Sequence, residues 1–471
     1  MYMIYQAVFF LVLAWIIKKL FFAKGSKDKT VPGLKKRSPE CGNIEDIGKA
    51  GSLHQFLLDL HHKYGDIASF WMGPQFVVSI CSPDLFKEHR NVFDRPPMLF
   101  QLFEPFIGQQ SLQYANKDDG KSRRKIYDRS MSHQSVKKYF TEFRQLADEI
   151  IRRLEVNLEA GIQSHELCTL MAEFALKVDL TTMFGNISDD SKIQEFHKNY
   201  EVCWGEMEAR LSDMPAENSD RNLAFKKALD GAKCFVKEVV AERENMEIDE
   251  ENQRFIDILI NRSPDEETLL SDAITYVVGG FHTTANSLAW AFYFIAKDED
   301  VQDRLIDELD DVIAKEKVIE FQDIPKLTYL KQVFDETLRC SVLAPFAARF
   351  QDEDSTLGGY LIPAGTPVVH ALGVSLLNPV YFSNPHVFDP DRFSADKVKE
   401  RPALAFQPFG FAGRRVCPGY RFANMEAAVM IATLLRKFRI KLVEGQDIKQ
   451  VHGLVTHPSQ EILISLQPRS K

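Results

Sequence analysis

The sequence predicts a mainly α-helical body with a small β portion at both ends, preceded by one N-terminal transmembrane helix. Three observations predict it. Residues 1–17 are apolar but for Gln6. The middle of the chain repeats apolar side chains at helical spacing, most extensively over Glu266–Lys297. Short alternating runs bounded by glycine and proline occur near residue 70 and again beyond residue 348.

The first element is the anchor, residues 1–23. Its apolar run resumes after Lys18 and Lys19 over residues 20–23. A crossing needs roughly 20 apolar residues, and lysine stems extend a slightly short run by reaching to the interface. Lys24, Lys27, Lys29, Lys35, Lys36 and Arg37 follow. Positive charge on that side puts the body in the cytosol. No basic stretch precedes the run and no small-x-small site follows it, which favours an uncleaved anchor over a signal peptide. Residues 24–50 read as a basic linker with a stiff Pro32-Gly33 turn. Residues 51–471 read as the body, without repeats or low-complexity runs.

Within the body, residues 66–81 alternate around Gly73-Pro74 as a β-hairpin. Ser82-Pro83-Asp84 opens a short helix with proline in its first turn. Residues 214–222 are a polar loop between helices. Helices are expected over Glu266–Lys297, 298–314 and 329–341. Residues 349–377 hold Gly358, Gly359, Pro363 and Gly365 between strand-like runs, and 378–393 form a proline- and aromatic-rich loop. A helix over 418–438 and a strand over 462–466 complete the chain.

At 471 residues, length alone would allow more than one domain. The 35 phenylalanines suit a large core or a lipophilic cavity. A net charge of −9 argues against nucleic-acid binding, which needs a basic face. Seven cysteines, widely spaced and without a C-x-x-C pair, argue against a disulfide framework or structural zinc and for a reducing compartment.

The most informative stretch is Pro408-Phe409-Gly410-Phe411-Ala412-Gly413-Arg414-Arg415-Val416-Cys417-Pro418-Gly419. Glycines permit a tight loop and close approach to a flat ligand. Arginine suits a carboxylate. Cys417 precedes a proline that can start a helix, and a sulfur at a helix N-terminus is favoured as the thiolate. Glycine four before, arginine two before and glycine two after the cysteine closely resemble the haem-binding signature of the cytochrome P-450 superfamily. The usual phenylalanine seven before the cysteine is Gly410 here, flanked by Phe409 and Phe411. The resemblance implies the cytochrome P-450 fold and haem b, with Cys417 as ligand of the iron and Phe411, Gly413, Arg415 and Gly419 around the cofactor.

Other segments match in family order. Glu336-Thr337-Leu338-Arg339 resembles the family's E-x-x-R motif, and Phe388-Asp389-Pro390-Asp391-Arg392-Phe393 its partner segment. This implies a buried charge network of Glu336, Arg339 and Arg392. Gly279-Gly280-Phe281-His282-Thr283-Thr284 lies mid-helix, where two glycines are costly unless the helix must open. It resembles the oxygen-binding stretch, implying catalytic roles for Thr283 and for His282, which replaces the usual acid. His282 is either a structurally satisfied histidine or a proton relay titrating near neutrality. Residues 120–125 resemble the helix that carries W-x-x-x-R. The tryptophan is absent, and Arg124 falls at the arginine position as a haem-propionate partner. Arg349 resembles a second one. Residues 51–71 and Ala371-Leu372-Gly373-Val374 resemble, more narrowly, the orphan family 20 of microsomal P-450s.

The resemblance implies a monooxygenase that puts one atom of O2 into a lipophilic small molecule of the sterol, fatty-acid or retinoid class. Phe100, Phe103, Phe106, Phe281, Val342 and Phe346 are the candidate pocket residues. No segment looks like a flavin or nicotinamide domain. Electrons would therefore come from NADPH-cytochrome P-450 reductase or cytochrome b5, at the endoplasmic reticulum membrane. The altered Thr283 region leaves open peroxide-driven or isomerase-type chemistry, and a non-catalytic haem-thiolate sensor.

Overall fold

The computed structural model describes residues 30–469 other than 186, 188, 250, 251, 315, 411, 412 and 414. The expected anchor, residues 1–23, lies outside the described residues. Among those described, no helix is long and apolar enough to cross a membrane.

Residues 30–50, expected as linker, are packed on the first sheet. Leu34 N–H donates to Ser69 O at 2.9 Å and Ser69 N–H to Pro32 O at 2.8 Å. The approach requires glycine at 33, because a Cβ there would lie 2.0 Å from Ser69 O. Trp71 N–H donates to Asn43 Oδ1 at 2.9 Å. Helix α1 (Ile44–Ala50) follows and stops at Gly51, whose φ of 86° is left-handed. Ser52 then caps α2 (Leu53–Tyr64) by accepting from Gln55 N–H.

Strands β1 (Ile67–Met72) and β2 (Gln75–Ile80) form the expected hairpin, and α3 (Pro83–His89) starts on its proline. Then come α4 (Lys117–Tyr127), α5 (His133–Glu159), β3 (His165–Glu166), α6 (Leu167–Phe184), α7 (Asp190–Ala209) and α8 (Asp220–Glu244). The polar loop before α8 is shorter than expected, because Ser219 caps the helix by accepting from Asn222 N–H.

Helix α9 (Phe255–Arg262) leads into the long central helix α10 (Glu266–Lys297). Asp265 opens α10 by accepting from Thr268 N–H at 2.7 Å. Asp298 ends it in an extended conformation and at once caps α11 (Glu299–Val312). Helix α12 (Thr328–Ser341) ends at Val342, a buried β-branched residue at φ 47°. That geometry aims the Val342 carbonyl at the Thr456 hydroxyl, which donates at 2.8 Å.

The remaining strands are β4 (Ala347–Arg349), β5 (Ser355–Leu357), β6 (Tyr360–Ile362) and β7 (Val368–His370). Helix α13 (Tyr420–Leu435) and β8 (Phe438–Leu442), β9 (Gln450–His452), β10 (Thr456–Pro458) and β11 (Leu463–Pro468) follow. The helix expected over 418–438 is trimmed at both ends. Phe438, Ile440 and Leu442 alternate and pair with β11 instead. The first sheet has the order β1-β2-β7-β4 and the second β3-β11-β8, with two small hairpins besides.

The main core surrounds α10 and α13, where Leu288, Phe292, Val429 and Ile431 are wholly buried. In the middle of α10, Gly279 is exposed and Thr275, Val278, Gly280, His282, Thr283 and Asn286 are partly accessible. All but Gly280 are spaced along one stripe of the helix.

Candidate functional site

The cysteine loop leads into α13. Cys417 N–H donates to Phe409 O at 3.0 Å, and the Gly419 N–H donates to the sulfur. Gly413 has a φ of 103°, and a Cβ there would lie 2.6 Å from Arg90 O. Phe411 lies outside the described residues. Burial pushes the Cys417 thiol up, while the Gly419 N–H, Arg124 and Arg95 pull it back. The thiol therefore keeps its proton near neutral pH.

Four arginines converge beside this cysteine. Arg124 donates to Val416 O at 2.7 Å and to Asp128 at 2.7 Å. Its neighbour Arg123 turns instead to Asp119 and Asp272. Arg349 donates to Ala348 O at 2.7 Å and reaches Arg415 O at 3.5 Å. Arg415 donates to Leu112 O at 3.1 Å and to Ala115 O. Gly120 allows this, since a Cβ there would sit 2.9 Å from the Arg415 guanidinium. Arg95 binds Gln113. It has no motif in the sequence, and only its place between Asp94 and Pro96 in an apolar loop sets it apart.

The cluster is electrostatically costly. Burial, then Arg95, Arg124 and Arg349, bring Arg415 down to about 8. Burial, Arg95 and Arg124 bring Arg349 to about 9. Arg95 falls to about 10 through burial and Arg124. Arg95 Nε and Arg415 Nε are buried without hydrogen-bond partners among the described residues. Buried cations need an anion opposite them. A planar dicarboxylate carrying a thiolate-seeking metal fits this donor set, so haem fits these residues.

The stripe on α10 bears Thr283, whose hydroxyl donates to Gly279 O at 2.8 Å and approaches Gly280 O at 3.1 Å. A Cβ on Gly279 would meet nothing within 4 Å. His282 is turned toward α7. Its ring stacks on Trp204 at 4.3 Å, and its Nε2 lies 3.4 Å from Glu201 Oε1 but outside hydrogen-bond geometry. Burial lowers it to about 4 despite Glu201, with His197 and His457 adding to the fall. The imidazole is therefore neutral near pH 7.

In α12, Glu336 and Arg339 form a wholly buried two-pronged ion pair, both bonds 2.7 Å. Arg392 Nε joins Glu336 at 3.2 Å, and Asp389 N–H donates to it at 2.9 Å. Arg339 also donates to Pro385 O at 2.7 Å, which ties α12 to the loop ahead of the cysteine.

The six expected pocket residues are not gathered together. Phe106 and Phe281 are fully buried against Tyr200, with ring centroids 5.4 and 5.1 Å away. Val342 is buried at the strained end of α12. Phe100 and Phe346 are half-buried in the cluster around the first sheet, and Phe103 packs on the main core.

A sequence model of the family described as cytochrome P450 matches residues 32–465. Cytochrome P450 20A1 of Bos taurus is 31% identical over 472 residues, covering 99% of both chains. The Homo sapiens protein of that name is 30% identical over the same span and coverage. A more distant relative, cyclooctat-9-en-7-ol 5-monooxygenase of Streptomyces melanosporofaciens, is 26% identical over 407 residues, 84% of this chain and 86% of its own.

Proposed function

Because this chain belongs to the cytochrome P450 family and is a monooxygenase oxidoreductase, we propose that it inserts one atom of O2 into a lipophilic small molecule of the sterol, fatty-acid or retinoid class. The observation that carries the reading is the set of buried, mutually repelling arginines beside Cys417. Cys417 would ligate the iron of haem b, and Arg95, Arg124, Arg349 and Arg415 would hold its carboxylates. When bound, the haem supplies reductive activation of O2.

The chain's own residues do the rest. Gly413 lets the cysteine loop pass close to Arg90 O, and Gly419 lies against the sulfur. Thr283 holds a hydroxyl proton at Oγ1 on the accessible stripe of α10. The Glu336, Arg339 and Arg392 network ties α12 to residues 376–392. Phe100, Phe103 and Phe346, half-buried, offer apolar surface to substrate. Phe106, Phe281 and Val342 act behind them as packing. A relative named for oxidising cyclooctat-9-en-7-ol agrees with a lipophilic substrate.

Electrons come from NADPH-cytochrome P450 reductase, with cytochrome b5 as an auxiliary donor. Residues 1–23 anchor the chain in the endoplasmic reticulum membrane with a cytosolic haem domain. That domain takes in the packed segment from Val31 onward.

The test is the carbon-monoxide adduct of the reduced full-length protein. The red-shifted absorption of thiolate ligation is expected, and Cys417→Ser abolishes it. Its absence from the wild type sinks the assignment. A low-to-high-spin screen then identifies substrates, and binding of small polar compounds alone overturns the lipophilic class. Turnover with reductase and NADPH, rather than with peroxide, identifies the electron source.

A further inference from the structure

The loop of residues 108–116 leads into α4 and is gripped from two sides. On the cysteine side, Arg415 donates to Leu112 O at 3.1 Å and to Ala115 O. The Arg95 side chain donates to Gln113. The Arg95 backbone N–H donates to Asn116 Oδ1 and Asn116 Nδ2 donates to Arg95 O, both at 2.9 Å. Two of the four arginines beside Cys417 are therefore bonded to this one loop.

On the other side lies the first half of α10. Leu112 N–H donates to Asp272 Oδ1 at 2.6 Å, and the Ser111 and Thr275 hydroxyls meet at 2.7 Å. Gly108 has a φ of 80°, and a Cβ there would clash with Ser271 Oγ. Asp272 is 0% exposed. Its Oδ2 accepts from Arg123 at 3.1 Å, and Arg123 also donates to Gln110 O of the loop at 2.7 Å. Burial works against the Asp272 charge, and Arg123, the Leu112 N–H and Tyr127 offset part of that cost.

Leu112 is the link between the two sides. Its N–H is held by Asp272, and its C=O holds Arg415. A guanidinium has five N–H donors in one plane. The loop carbonyls take donors on both terminal nitrogens of Arg415, and the group lies 4.2 Å from the centre of the Phe93 ring. Its plane is fixed by these contacts, while Nε has no partner among the described residues.

We propose that Asp272 is a positioning residue for the haem: through Leu112 it sets the loop carbonyls that aim Arg415, and so governs how tightly a carboxylate is held there. The proposal rests on the haem reading of the arginine cluster. Asp272 acts through the oxygen that accepts from Leu112. Asparagine keeps such an oxygen, and leucine does not.

The test follows transfer of haem from the full-length holoenzyme to an acceptor globin. Asp272→Leu should speed haem loss roughly tenfold, and Asp272→Asn should restore the wild-type rate. In a double-mutant cycle, Asp272→Leu should add nothing to Arg415→Leu, because both act on the same guanidinium. Resonance Raman bands of the haem carboxylates should shift in Asp272→Leu. They should stay in place in Arg243→Met, which breaks a buried ion pair with Asp257 instead. Where Asp272→Leu does not fold, Thr275→Val loosens the same loop one turn along and carries the same cycle. Haem lost at equal rates from the wild type and the folded variant, or an effect that adds in full to that of Arg415→Leu, overturns this proposal alone. A wild type that takes up no haem overturns the reading beneath it as well.

Discussion

At the scale of single residues the site is a problem in charge. Burial depresses Arg415 and Arg349 most; Arg95 and Arg124 depress both further, and Arg349 adds to the fall of Arg415. Each needs an anion opposite it, which the carboxylates of the proposed haem would provide. A charge-assisted hydrogen bond contributes about 1.5–3 kcal/mol. Arg349→Leu or Arg415→Leu should therefore weaken haem retention roughly 10- to 100-fold, measured by transfer of haem to an acceptor globin. Three of the four arginines were legible because they sit at fixed distances from a motif. Arg95 was not, since a loop arginine between Asp94 and Pro96 has no periodicity and only folding brings it to Arg124. The orientation of His282 was equally hidden. Position 282 is readable as mid-helix, but its ring is captured by Trp204, 78 positions earlier in the chain.

At the scale of elements, α12 is held by charge rather than by its own sequence. Glu336 and Arg339 are wholly buried and pin the helix to residues 376–392. Removing one partner strands the other, at a cost of about 3–5 kcal/mol. Arg339→Met should lose that much stability in urea unfolding, whereas a rim change such as Lys397→Ala should fall within about 0.5 kcal/mol. The ends of α10 were legible because Asp265 and Asp298 are capping residues at both boundaries. The end of α13 was not. Apolar residues continue through Phe438, Ile440 and Leu442, and only pairing with β11 converts a helical reading into a strand.

For the whole molecule, buried histidines set the acid limit. Burial lowers His54 to about 3, with help from His452. Burial lowers His89 to about 4, with help from Arg349, and His282 to about 4. Folded values below the unfolded 6.5 mean that the native state binds fewer protons than the unfolded one. Their contribution is complete above pH 6.5 and is lost as pH falls from there toward 4. Each tenfold difference in proton affinity between the two states is worth about 1.4 kcal/mol. The melting temperature should accordingly drop steeply between pH 6.5 and 4, and His54→Phe should flatten the drop. A scan that is level across that interval would refute the argument. At this scale the class of fold was legible in the helical periodicity. The sheet order β1-β2-β7-β4 was not, because β2 and β7 meet across nearly 300 residues and short buried strands carry no record of their partners.

The bonds that stitch Pro32, Leu34 and Asn43 to the first strand also limit where the catalytic body can go. Were residues 1–23 to lie in a bilayer, as proposed, seven positions would separate them from Val31, the first buried residue described. At about 3.5 Å each they span roughly 25 Å when taut. The edge of the first sheet would then stay close to the membrane surface. Phe100 and Phe346, clustered with that sheet, would meet hydrophobic molecules as they leave the membrane, without a passage through water.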